Sequence, residues 1–85
     1  MKTDKQPYTY KGTYTYREPN ETKNRHIIYI RRNKDNALFN IMHKTETGLT
    51  YIMEGDEDPV PKNKNEEIKI LTMAKKYIKQ RKRTI

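Results

Sequence analysis

Between residues 8 and 17 the chain alternates without a break. Tyr8, Tyr10, Tyr14 and Tyr16 share one parity, and Thr9, Lys11, Thr13, Thr15 and Arg17 share the other. A period of two built from tyrosine and threonine is a strand signal, because successive side chains point to opposite sides of an extended backbone. Gly12 takes a slot where another tyrosine would continue the row, which predicts a bulge, a bend or a close backbone approach. Residues 18–24 are polar and contain a proline, and read as a loop. A second strand follows at 26–32, with Ile28 and Ile30 on one face and Ile27 and Tyr29 on the other. Residues 33–36, Asn-Lys-Asp-Asn, have the chemistry of a tight turn, since Asn and Asp tolerate left-handed backbone. A third strand at 37–43 sets Phe39 and Ile41 against Leu38 and Met42, and a turn at 44–48 leads to a fourth at 49–54. Loops this short join antiparallel neighbours.

The period changes after residue 54. Glu54, Asp56, Glu57 and Asp58 crowd around Gly55, and Pro59-Val60-Pro61 enforces an extended connection. From there a helical period runs to residue 83. Asn63 or Asn65 can cap the helix, Glu66 and Glu67 fall in its first turn, and cations gather at its far end, as the macrodipole favours. Ile68, Ile70, Leu71, Met73, Ala74, Tyr77 and Ile78 occupy an arc of more than half the circumference. That is wider than one sheet face covers, and predicts a spare apolar edge for a partner or a second copy. The expected fold class is α+β: a four-stranded antiparallel β-meander followed by one C-terminal amphipathic α-helix packed on the sheet. One small domain spans 8–83, with strands at 8–17, 26–32, 37–43 and 49–54 and a helix at 65–83, after a disordered N-terminal segment at 1–7.

Composition narrows the classes. In 85 residues, 32% are hydrophobic and 35% charged, so the core is thin and self-association as a homodimer would add stability. With no cysteine there is neither a disulfide framework nor a thiolate metal site. No apolar stretch approaches the ~20 residues that span a bilayer, and the first residues lack the apolar run of a signal peptide. A cytoplasmic location without a membrane partner is the expectation. Thirteen lysines, nine isoleucines, seven asparagines and seven tyrosines all draw on AT-rich codons, an association with AT-rich bacteria and their phages.

The net charge of +8 is segregated. Residues 1–32 carry +5, residues 33–61 carry −4 and residues 62–85 carry +7. Lys69, Lys75, Lys76, Lys79, Arg81, Lys82 and Arg83 form the densest run, and such a run attracts phosphates and gains affinity from counterion release. Its bland alternative is a solvated helix end. Arg25, Arg31 and Arg32 lie close enough in the expected sheet to add a basic groove. Tyr8, Tyr10, Tyr14 and Tyr16 are candidate stacking residues for bases. Against that stands a core role, since tyrosine buries its ring and keeps its hydroxyl at the rim; at least two of the four are expected in the core. The acids at 54–58 lack the alternating spacing of a calcium loop and read as solvated. If they folded back on the helix they would neutralise part of its charge.

No catalytic residue, metal or cofactor is expected. Serine and cysteine, the common acyl-transfer nucleophiles, are absent. His26 and His43 are the remaining acid–base candidates, and would suit a small metal-free ribonuclease. The order of four strands and a helix resembles the single-strand-binding fold of transcriptional coactivators and, more loosely, the arm-binding domains of tyrosine recombinases. No motif residue carries either likeness, so neither transfers a site. The leading expectation is a small basic non-enzymatic binding protein that contacts nucleic acid or a nucleoprotein through its C-terminal helix. The alternative is a phage- or mobile-element-encoded inhibitor or adaptor that binds a host protein.

Overall fold

The structure is a computed structural model that describes residues 6–83, with side chains as far as Lys79. Residues 1–5, which hold most of the expected disordered segment, lie outside the described residues. Strands β1 (Tyr8–Tyr16), β2 (Arg25–Arg32), β3 (Ala37–Lys44) and β4 (Leu49–Ile52) form one antiparallel sheet in sequence order, and helix α1 (Lys64–Arg83) packs on one of its faces. This is the α+β meander that the alternation predicts.

Local chemistry sets the turns. Asn36 adopts a left-handed φ of 62°, and the Asp35 carboxylate accepts from the Ala37 amide at 3.2 Å, which closes the β2–β3 hairpin. Gly48, at φ 75°, donates its amide to the Lys44 carbonyl at 2.7 Å and closes β3–β4. The fourth strand ends at Ile52, two residues short of the expected boundary, although the Met53 amide still donates to the Asn40 carbonyl at 2.8 Å.

β1 departs from regular pairing. Tyr10 lies opposite Ile30, yet Gly12 lies opposite Tyr29, the next residue along β2. Lys11 is therefore an extra residue, a β-bulge, and Gly12 beside it takes φ 128°, which side-chain-bearing residues rarely adopt. One inserted residue inverts the facing of everything after it. Tyr8 and Tyr10 point to the helix side; Tyr14 and Tyr16, in register with Ile27 and Arg25, point away from it. The four tyrosines that strict alternation assigns to one face are divided between two.

The core lies between sheet and helix. Ile28, Ile30, Phe39 and Ile41 are fully buried, and Ile52 nearly so, against Ile70, Ala74 and Ile78 of α1. Burying each large side chain contributes on the order of 1.5–3 kcal/mol. Tyr10 lies flat on Tyr77 with ring centroids 3.9 Å apart and 7° between planes, which fastens the helix over β1. Leu71 and Met73 also pack against the core, so the predicted spare apolar edge reduces to Ile68, 54% exposed.

The helix N-terminus is tied to the sheet by a buried carboxylate. Asn63 is the cap, its Oδ1 accepting from the Glu66 amide at 2.9 Å. Glu66 in turn accepts from the Lys62 amide at 2.6 Å, the Tyr8 hydroxyl at 2.7 Å and Arg32 Nη1 at 2.7 Å. Burial alone would raise the Glu66 pKa from its ordinary 4.5; these three donors outweigh it and hold the carboxyl at about 2. Arg32 also forks onto Asp35 at 2.9 and 3.0 Å and lies over the Phe39 ring. Among the described residues no helix is long and apolar enough to cross a membrane.

Candidate nucleic-acid interface

The sheet face turned away from α1 is built by the other parity of each strand. Register places Tyr14, Ile27, Met42 and Tyr51 in one row across all four strands. The neighbouring row, towards the 44–48 turn, is Tyr16, Arg25, Lys44 and Leu49. On the other side come Tyr29 with Asn40, then Thr9, Arg31 and Leu38. The helix packs on the opposite face and does not cover the central row. Tyr14 is 57% exposed and Tyr51 37%, while Met42 between them is 6% exposed. The result is an aromatic platform with a closed floor.

The rings are held in defined attitudes. Tyr14 and Tyr16 sit with centroids 5.8 Å apart at 19°, and the Tyr16 hydroxyl reaches the Met42 sulfur at 3.9 Å. Lys44 Nζ lies over the Tyr51 ring, 5.9 Å from its centroid. An exposed contact of that kind stabilises by about 0.5–1 kcal/mol and brings a cation to the edge of a stacking surface.

The cations around the platform differ in their partners. Arg25 bonds Glu46 at 3.2 Å and lies 3.7 Å from Glu18, and the Tyr16 hydroxyl raises its pKa first, with Glu46 adding to the effect. Arg31 donates from Nε to Asn33 at 3.0 Å. Among the described residues, Arg31 and Lys44 take part in no ion pair. The acidic turn approaches the opposite rim, where Asn40 donates to Asp58 at 3.5 Å. Asp58 also accepts from the Gly55 amide at 2.8 Å, and among the described residues no ion pair links residues 54–58 to the helix.

The candidates named from sequence are thus spread over both layers. Arg25, Arg31, Tyr14 and Tyr16 belong to the open face. Arg32, Tyr8 and Tyr10 belong to the covered one, where Arg32 is committed to Glu66 and Asp35 and both tyrosines pack against the core. Lys69, Lys75, Lys76 and Lys79 are exposed on the helix. Arg81, Lys82 and Arg83 continue its backbone, and their side chains lie outside the described residues. Sequence reasoning missed Tyr29, Tyr51 and Lys44. Their signal was present: Tyr29 and Tyr51 alternate with the core residues Ile28, Ile30 and Ile52, so they must face the other way.

The histidines form a second grouping, on the covered face. His26 and His43 are direct cross-strand partners with ring centroids 6.1 Å apart and 14° between planes. Thr15 Oγ1 meets His26 Nδ1 at 2.8 Å, and Thr50 Oγ1 meets His43 Nδ1 at 2.8 Å. No three His, Asp or Glu among the described residues are grouped so as to hold a metal ion. Compared with protein-family models, with curated proteins and with solved structures, the chain matches none.

Proposed function

We propose that the protein binds single-stranded nucleic acid on the open face of its sheet, as a non-enzymatic binding module. One observation carries this reading: the row Tyr14–Ile27–Met42–Tyr51 on the face away from the helix, its two tyrosines exposed, with Lys44 over Tyr51 and Arg31 beyond it. Single-strand binders combine exposed aromatic rings, on which any base can stack, with cations that follow the backbone. A duplex hides its base faces and gains nothing from such a platform. The exposed helix lysines supply a second basic surface, on the opposite layer, that raises local nucleic-acid concentration without reading bases.

The test is a titration with single- and double-stranded oligonucleotides of one sequence at two salt concentrations, read by tyrosine emission, since the chain has no tryptophan. Single strands should quench that emission and bind more tightly. If Arg31 and Lys44 are the only phosphate contacts, log K should fall against log salt with a slope of about −1.4; a much steeper slope assigns further contacts to the helix. Binding that survives Tyr14→Ala with Tyr51→Ala but is lost in Lys75→Gln with Lys79→Gln would move the interface to the helix. Absence of binding at low salt would end the reading.

A second reading rests on Leu38 and Leu49, 42% and 51% exposed on the same open face. Apolar side chains there also suit a protein partner, such as a host protein bound by a phage-type inhibitor or adaptor. A pull-down with nuclease treatment separates the two: one protein retained in fixed ratio after nuclease favours this second reading.

A further inference from the structure

On the covered face, at the end of the sheet near the 44–48 turn, the last turns of α1 overhang a cleft of about 340 Å3 lined by His43, Gly48, Thr50, Lys75, Ile78 and Lys79. His26 lies beside it, paired in register with His43. Four basic side chains thus come from three elements: His26 from β2, His43 from β3, and Lys75 and Lys79 from one edge of α1, where residues four apart are neighbours. The other described polar groups are hydroxyls, Thr15 from β1 and Thr50 from β4. No carboxylate is among the described residues that line the cleft. Both imidazoles have contacts beyond these two hydroxyls.

We infer that this cleft is a phosphate site, and that it takes the terminal phosphate of a nucleic-acid strand. The chemistry favours a monoester. Two lysines and two protonatable imidazoles match a dianion better than the single charge of an internal diester. Thr15 bonds Nδ1 of one ring and Thr50 bonds Nδ1 of the other, and the two rings stand 14° from parallel. The position fits as well. The row Thr15–His26–His43–Thr50 adjoins the row Tyr16–Arg25–Lys44–Leu49 at the same end of the sheet, on opposite faces. A strand that leaves the platform at this end reaches the cleft by crossing the turn that carries Gly48. This deepens the proposed function, since the oligonucleotide is the same ligand, while the phosphate site itself stands independently of the platform.

Binding a dianion favours the protonated rings, so binding and proton uptake are linked. Affinity for a terminal phosphate therefore rises as pH falls from 8. It levels off near pH 6, where the monoester's own second proton returns. One unit of upward shift in a single imidazole corresponds to a tenfold gain.

The test uses the intact chain and four probes: inorganic phosphate, a 5′-phosphorylated oligonucleotide, its 5′-hydroxyl counterpart and a 3′-phosphorylated strand, the last to identify which end is taken. Proton NMR should show phosphate moving the titration of both His26 and His43 upward. At pH 6 a strand phosphorylated at the preferred end should bind about tenfold more tightly than the hydroxyl strand, and at pH 8 the gain should shrink. His26→Gln and His43→Gln, each checked for folding by circular dichroism, should abolish the gain and leave hydroxyl-strand binding in place. Imidazole titrations indifferent to phosphate, or equal affinity of all three strands at pH 6, would overturn the site. If the hydroxyl strand fails to bind while phosphate still moves the rings, the platform falls and the phosphate site stands.

Discussion

On the covered face Tyr10 lies flat against Tyr77 at 3.9 Å, and Arg32 is enclosed by Glu66, Asp35 and the Phe39 ring. On the open face Tyr14 keeps 57% of its surface exposed, and Arg31 has no carboxylate partner among the described residues. The residue types are the same; their roles differ because only one face has a helix over it. Beneath α1, ring area removed from water stabilises the fold, and a charge must be paired because desolvation would otherwise make it costly. Outside, the same groups contribute little to stability and keep their capacity for a ligand. Composition alone would count all four as one basic, aromatic resource.

The contrast makes predictions, largest first. Phe39→Ala, at full burial between sheet and helix, should destabilise by about 3–5 kcal/mol, seen as a lower denaturant midpoint. Leu38→Ala, one residue away on the open face, should stay within about 0.5 kcal/mol. Comparable losses from the two would show that the open face is covered in solution, and a homodimer is then the natural cover.

Glu66→Gln should cost about 3 kcal/mol, the low end for breaking a buried ion pair, because Arg32 loses its buried counter-charge. The pH dependence has a definite sign. Glu66 titrates at about 2 in the fold against an ordinary 4.5, so its stabilisation is complete above 4.5 and is lost as pH falls towards 2. Asp35, held at about 2 chiefly by Arg32, adds to the same window from 3.8 downward. Stability measured from pH 5 to pH 2 should fall in the native chain and fall less steeply in Glu66→Gln.

Tyr14→Ala should reduce single-strand affinity by about 1–3 kcal/mol with almost no change in stability. Tyr10→Ala should do the reverse, and the pair of measurements separates the two halves of one strand. Gly12→Ala should destabilise by about 1–2 kcal/mol. No atom lies within 4 Å of the added carbon, so the cost arises from the backbone at φ 128° alone. Deletion of Lys11 is the counterpart: it removes the bulge, leaves Tyr8 and Tyr10 on one side with Tyr14 and Tyr16 on the other, and should preserve the fold.

Much of this architecture is local and was legible in the residues. Alternation of Ile28 and Ile30 with Ile27 and Tyr29 states a strand and its two faces, Asn36 and Gly48 state turns, and Asn63 with Glu66 states a helix start, because each depends on neighbours a few positions away. The facing of Tyr14 and Tyr16 is not local. Gly12 marked an irregularity, but its parity was decided when β1 paired with β2 and Lys11 was left over. The partner of Arg32 is Glu66, 34 residues distant, and the pairing of His26 with His43 follows from strand register. Nor does net charge reveal which cations are neutralised at home. The chain by itself determined the elements, their order and a surplus of positive charge. Tertiary structure decided which tyrosines and which cations remain turned outward, since exposure is a property of what packs across a face and not of the residue that occupies it.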